Sequence, residues 1–460
     1  MKPNTILAEV SSVSSLKEAW RLLNKFNKKS RGISATTIQD FEDKLDEKLE
    51  KLSKDLISGT FKFSPVRGTT ISKKGQQPKS SNSKPTDQLA NLRPLRIPEI
   101  QDRIIHKALA ISIEKIVSTK FALRNECSFA YQKGKGIEDA IIKMGQYFEE
   151  GYKIILEADI IKFFDTINSS NLIKLIQESL PDTSINHLLS GAINQELGNI
   201  NELKDKKVFE QYFESSEQGI PQGNALSPLL ANIYLSCFDQ RMLKEGFRLI
   251  RYADDFIVMC KTHAEAKRAY DVAIEELEVN LQLKLHPLEI QGKTRIVDPR
   301  QHEFIFLSVR FDGIYFRINP KKVKMLFEKI QCLASRECRQ SLYPGEQIGL
   351  LQALTKLKNL TEGWIAAYYF LDCDKQISEV DKHINIILVQ MFEDFGIMLK
   401  RSDLEEISLI GHRRKRKGLS QKQRKAVGVP LCVDILEKTR KDVEPIATRI
   451  RQVMKFAISA

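Results

Sequence analysis

Two adjacent carboxylates, Asp254 and Asp255, follow Tyr252 and Ala253 between two short apolar runs, Phe247 to Tyr252 and Phe256 to Cys260. Apolar runs split by so short a polar break predict a β-hairpin with the acids at its tip. Like charges in a tight turn repel each other, and a bound Mg²⁺ makes them tolerable. An Asx-type surface turn is the plainer reading of the same residues, because Asp is favoured in turns. A third acid weighs against it. Asp159, 95 residues upstream, closes Ile154-Ile155-Leu156-Glu157-Ala158-Asp159, a stretch that predicts a buried strand ending in an acid. If that strand lies beside the hairpin, Asp159, Asp254 and Asp255 converge on one sheet edge. Three carboxylates there can hold two Mg²⁺ ions, with Mn²⁺ as a substitute. One ion would lower the pKa of an attacking 3′-hydroxyl and the other would stabilise departing pyrophosphate, which is the apparatus of nucleotidyl transfer.

Composition agrees with a nucleic-acid enzyme. Lys and Arg total 72 against 59 acids, a net charge of +13. Such an excess attracts polyanions and makes binding salt-dependent, without telling RNA from DNA. The 460 residues suffice for two or three domains. No apolar stretch approaches membrane-spanning length and nothing near Met1 resembles a signal peptide, so the expectation is a cytoplasmic protein with no membrane partner. Cys127, Cys237, Cys260, Cys332, Cys338, Cys373 and Cys432 include no Cys-x-x-Cys pair, which predicts free thiols rather than zinc ligands or disulfides.

A third segment, Gln218-Gly219-Ile220-Pro221-Gln222-Gly223-Asn224-Ala225-Leu226-Ser227-Pro228, reads as a Gly/Pro turn feeding an apolar helix. With these residues in view the chain resembles reverse transcriptases, most closely those of bacterial group II introns and their stand-alone relatives. Seven blocks of that family follow in order. Arg93 to Pro98 with Asp102 to Ile105 resembles the first, and Ser128 to Gly136 the second. Asp159 to Asp165 resembles the third, Pro221-Gln222-Gly223 the fourth and Tyr252 to Asp255 the fifth. Leu283 to Pro287 with Lys293-Thr294-Arg295 resembles the sixth, and Phe306-Leu307-Ser308 the seventh. Coverage runs from about residue 15 to about residue 380. There are two departures: Ser308 stands where the family usually has Gly, and the polar stretch Gly75 to Thr86 is longer than the family's turn.

The resemblance implies an α+β right-hand polymerase with fingers, a palm of antiparallel sheet plus helices, and an α-helical thumb. It divides the chain into a helical N-terminal extension (1–60), fingers and palm (61–315), thumb (316–400) and a basic C-terminal extension (401–460). Asp159, Asp254 and Asp255 would be metal ligands and catalytic residues, joined by the backbone carbonyl of Ile160. Phe164 would sit under the incoming sugar, where a ring collides with a 2′-hydroxyl; an ordinary core Phe is the alternative. Gln222 would contact the incoming nucleotide, and Arg93, with Lys73 or Lys74 and Lys293, would bind its triphosphate. Tyr252, Ala253 and Gly223 would lie at the primer and template.

Along the chain, Leu16, Ala19, Trp20, Leu22 and Leu23 are expected on one face of a first helix, with a charged helix from Asp40 to Leu56. In the thumb, helices are expected from Pro320 to Cys332 and from Gly349 to Phe370. The run His412-Arg413-Arg414-Lys415-Arg416-Lys417 is either an RNA-binding element or a solvated charge block. Neither a His-Asn-His-type nuclease nor a ribonuclease H acid cluster is recognisable. The expected partners are dNTPs, an RNA template, a DNA product and a dedicated non-coding RNA copied in antiphage defence. An intron-encoded reverse transcriptase and maturase is the alternative, as is a non-catalytic RNA-binding scaffold. Priming and oligomeric state stay open.

Overall fold

The computed structural model describes residues 5–72, 92–214, 219–343, 345–441 and 443–450. Lys73, Lys74 and the polar stretch at 75–86 lie outside the described residues. The chain forms two units, residues 1–136 with 156–296 and residues 137–155 with 297–460. The helices before residue 60 pack on Ile100–Val117, and described elements beyond residue 400 pack on Asp374–Asp394.

In the first unit the helices Ile6–Ser11, Val13–Leu22 and Leu45–Ser58 pack together, and the first two also pack on Ile100–Val117. Leu16, Ala19 and Trp20 are buried as expected, but Leu22 is 50% exposed and Leu23 is the C-cap. At 100° per residue Leu22 points away from the face shared by 16, 19, 20 and 23, which corrects the expected grouping. The charged helix also begins later than expected. Thr37 and Asp40 form a capping box for a separate short helix, Ile38–Glu42, and the long helix starts at Leu45.

Strands β1 (Arg67–Ser72) and β2 (Leu92–Ile97) pair antiparallel, with Ile71 opposite Arg93. The central sheet has the order β4 (Arg248–Tyr252), β5 (Asp255–Cys260), β3 (Ile154–Asp159) and β6 (Arg295–Val297). Phe256 to Cys260 are fully buried, as are Leu249, Ile250, Ile155 and Leu156, so apolar packing fixes the register of the strands that carry acids. The expected α+β class, helices with antiparallel strand pairs, is the one found.

In the second unit β7 (Phe304–Phe306), β8 (Val309–Phe311) and β9 (Phe316–Ile318) form an antiparallel meander. Leu307 and Ser308 turn between β7 and β8 at φ +49 and +68. Ser308 therefore adopts the left-handed geometry that glycine would take freely, at a cost of about 1–2 kcal/mol. The helices Pro320–Ala334, Arg336–Leu342, Leu350–Ala366 and Asp374–Asp394 follow; the first and third are the two expected, the third ending at Ala366 instead of Phe370. Cys332 and Cys338, on consecutive helices with Cα atoms 5.0 Å apart, are disulfide-bonded, which corrects the expectation of seven free thiols. Their six-residue separation has no motif value; a tight helix–helix corner brings them together.

Among the described residues beyond 400, strand Arg416–Gly418 and helix Cys432–Arg440 pack on Asp374–Asp394. The Arg424 guanidinium, fully buried, lies 2.7 Å from Asp381 and donates to Asn385 Oδ1 and the Pro430 carbonyl. Asp381 also accepts from the backbone N–H groups of Cys432 and Val433, at the start of helix Cys432–Arg440. The basic run forms a turn and strand β11 (Arg416–Gly418), paired with β10 (Glu405–Ile407), and every residue from His412 to Lys417 is exposed. Replacing Arg424 with Ala leaves Asp381 buried without its counterion. Urea unfolding should then show a loss of about 3–5 kcal/mol, with new protease cuts between 400 and 432; unchanged stability would contradict the pairing.

Candidate active site

Tyr252 pairs with Asp255, so Ala253 and Asp254 alone make the turn of the β4–β5 hairpin. Ala253 is buried and takes φ +60. On the other side of β5, strand β3 ends at Asp159, so all three predicted carboxylates stand at one end of three neighbouring strands. Glu157 alternates with Asp159 on the same face of β3. Facing these acids are two cations that alternate in the same way around the start of β6. Lys293 Nζ lies 2.6 Å from Asp159 Oδ2, and Arg295 Nε lies 2.8 Å from Glu157 Oε2. His286 Nε2 stands 3.6 Å from the same Asp159 oxygen.

Burial, with neighbouring carboxylates adding to it, raises Asp254, Asp255 and Glu157. Burial pushes Asp254 up, Asp159 adds to it, and Arg93 and Lys293 oppose it. Burial followed by Asp254, Asp159 and Glu157 pushes Asp255 up to about 7, although the residue as a whole is exposed. Glu157 is also raised by burial against the pull of Arg295. Among the described residues no three His, Cys, Asp or Glu side chains already form a ligand cage; Lys293 holds Asp159 instead. The donor set nevertheless suits a hard divalent cation: carboxylate oxygens whose mutual repulsion such an ion would relieve. At Ile160, a bridge to Leu285 uses the Asp159 carbonyl and the Ile161 N–H, leaving the Ile160 carbonyl outside that pairing.

Residues 71–311, just over half the chain, match the family described as reverse transcriptase (RNA-dependent DNA polymerase). The chain belongs to the reverse transcriptase family. It is 26% identical to protein YkfC of Escherichia coli K12 over 318 residues, 61% of this chain and 74% of that one. It is 30% identical to the group II intron-encoded protein LtrA of Lactococcus lactis over 241 residues, 52% of this chain but only 35% of LtrA. A telomerase from Candida albicans solved with telomeric RNA covers 80% of the chain, and the chain 66% of it, at 11% identity and a TM-score of 0.39.

In this reverse transcriptase the remaining predicted residues fall around the acids unevenly. Phe163 is the core ring; Phe164, edge-on to it at 5.3 Å, is only half-buried. Gln222 Nε2 donates to Asp165 Oδ1 at 3.3 Å, and its carbonyl accepts from the N–H of Arg96 on β2. Gly223, at φ +107, is needed for that approach, since a Cβ there would lie 2.7 Å from the Arg96 carbonyl. Its closeness is to the β2 backbone, a more specific role than the one expected from sequence. Arg93 is exposed and acts electrostatically on Asp254. The sequence reading missed Glu157 and His286, which strand alternation and nearness to Lys293 could have suggested. It also missed Tyr131, 51% exposed at φ +61, whose phenol is pushed up by burial, Asp254 and Tyr252.

A carboxyl whose folded pKa lies above its unfolded value keeps a proton on folding. For Asp255 the resulting cost is absent below the ordinary 3.8 and complete above about 7. Asp255→Asn should therefore raise the thermal midpoint of chelator-treated protein at pH 8, and the gain should shrink towards pH 5. Equal midpoints for the two proteins at pH 8 would contradict the repulsion.

Proposed function

We propose that the chain is an RNA-directed DNA polymerase that extends a primer 3′ end with deoxynucleotides in the presence of Mg²⁺, copying a dedicated non-coding RNA in antiphage defence. The observation that carries the polymerase reading is the convergence of Asp159, Asp254 and Asp255 at one end of neighbouring strands, where burial and neighbouring carboxylates push Asp254 and Asp255 up. Asp159, Asp254 and Asp255, with the Ile160 carbonyl, would hold the metal, which supplies charge neutralisation for the triphosphate and the attacking hydroxyl.

The side chains have separate tasks. Lys293, 2.6 Å from Asp159, and the exposed Arg93 would be the cations that meet the triphosphate. Half-buried Phe164 presents its ring to the sugar and excludes a 2′-hydroxyl. Gln222, held by Asp165 and by the β2 backbone, orients the incoming nucleotide together with Gly223. Tyr252 and Ala253 face the primer end. The exposed Arg413, Arg414, Lys415, Arg416 and Lys417 bind RNA phosphates, although Lys415 and Lys417 share Glu406 at 3.6 and 3.7 Å.

The dedicated RNA and the defence role rest on the resemblance to stand-alone relatives; the match to LtrA, an intron-encoded protein, favours intron RNA as the second reading. The test is to purify the protein from its native locus, sequence the RNA it carries, and add labelled dNTPs with Mg²⁺. One discrete RNA copied into DNA is expected, with synthesis abolished in Asp254→Ala/Asp255→Ala although that variant stays folded. Changing Arg413, Arg414 and Lys415 to Ala should flatten the salt dependence of RNA retention by about one slope unit per lost phosphate contact. Random cellular RNA would count against the dedicated template, intron RNA would favour the second reading, and activity in the double variant would overturn the site. In the same assay Phe164→Val should admit ribonucleotides; unchanged sugar selectivity would make Phe164 a packing residue.

A further inference from the structure

Directly behind the acidic turn lies a fully buried guanidinium. Arg251, one residue before Tyr252 on β4, is 1% exposed and grips Asp239 with two bonds of 2.6 Å. Its remaining donors reach three other groups: the Ala253 carbonyl at 3.1 Å, Asn232 Oδ1 at 3.2 Å and Ser128 Oγ at 2.9 Å. Each acceptor sits on a different part of the chain. Ala253 is the positive-φ residue of the turn, and Asn232 lies on the helix Ser227–Tyr234 that follows the Pro221-Gln222-Gly223 loop. Asp239 is on the next helix, and Ser128 is on the segment that leads to Tyr131.

The backbone repeats the connection. Arg251 N–H donates to the Cys127 carbonyl, and Phe129 N–H donates to the Arg251 carbonyl. Asn232 Nδ2 bonds the Ala130 carbonyl, and Asn125 Nδ2 bonds Asp239. A buried ion pair of this kind does not by itself make a fold more stable than apolar packing of the same shape would. What it supplies here is direction, because a planar fork with five N–H donors fixes the relative positions of several acceptors at once.

We propose that Arg251 is a positioning residue for the polymerase reaction: one guanidinium sets the Ala253 carbonyl, hence the turn that presents Asp254, in register with the segment that presents Tyr131. Arg251 touches neither substrate nor metal; it acts through Ala253, Ser128 and Asn232. The proposal rests on the polymerase reading for its consequence, but its geometric content can be measured without any catalysis.

The test is hydrogen–deuterium exchange, with steady-state kinetics, on full-length Arg251→Lys. Lysine keeps a positive charge beside Asp239 but cannot also hold Ala253, Ser128 and Asn232. Amides of the turn at 253–255 and of 128–131 should exchange about tenfold or more faster, while Leu249, Ile250, Ile257 and Val258 keep their protection. Synthesis should show a lower kcat and a raised Mg²⁺ requirement at unchanged KM for dNTP. Asn232→Ala, a milder cut in the same network, should shift the same amides less, which keeps the test decisive if the lysine variant folds poorly. Unaltered exchange at the turn in both variants would overturn the proposal, as would uniform loss of protection across β4 and β5. Failure of the wild-type protein to make DNA would sink the polymerase reading, whereas the exchange pattern decides the role of Arg251 in setting the turn.

Discussion

Carboxylates set side by side in partly dry surroundings repel each other, and the central sheet of the first unit is arranged around that repulsion. Asp254 and Asp255 share a hairpin tip, Asp159 ends the next strand, and Glu157 lies two residues behind it. Partial compensation comes from Lys293, two residues before β6, and Arg295, its first residue, which meet Asp159 and Glu157. These pairs are partly solvated and contribute little net stability. Their chief effect is to hold Asp159 and Glu157 in place. The raised values at Asp254 and Asp255 indicate that compensation is incomplete, as expected of a site that accepts further positive charge.

Holding charged groups in that state requires a stiff frame. Phe256 to Cys260 are fully buried behind the tip, so the hairpin cannot slide to relieve its charges. Close backbone approaches add to this. Gly219, at φ +96, lets the loop lie against the Phe164 carbonyl, where a Cβ would come within 2.9 Å. Gly223 does the same against Arg96 of β2. The loop between these glycines thereby connects β2 with the short helix Phe163–Thr166 that follows β3, and Gln222 is held from both directions.

Much of this was legible in the chain itself. The hairpin, the strand ending in Asp159, the loop-to-helix segment and the helices Pro320–Ala334 and Leu350–Ala366 all follow from apolar periodicity and turn residues, which act over a few neighbours. The errors were of two kinds. Leu22 and the start of the charged helix were misread because apolar content was weighed above angular position and above the Thr37–Asp40 capping box. The Cys332–Cys338 bond and the packing of residues beyond 400 were missed because they depend on where helices meet.

Sequence by itself determined the chemistry on offer: three acids in a recognisable order, an excess of basic residues and the family to which the chain belongs. Only the tertiary structure decided which groups act on them. Lys293 lies 134 positions from Asp159, and Ser128 lies 123 positions from Arg251, yet each pair is in hydrogen-bond contact. Local pattern encodes strands and turns because those are short-range steric and solvation effects. Partnership across more than a hundred residues depends on how the strands and helices pack, so the raised pKa of Asp254 and Asp255 and the buried fork behind the turn became visible only in the fold.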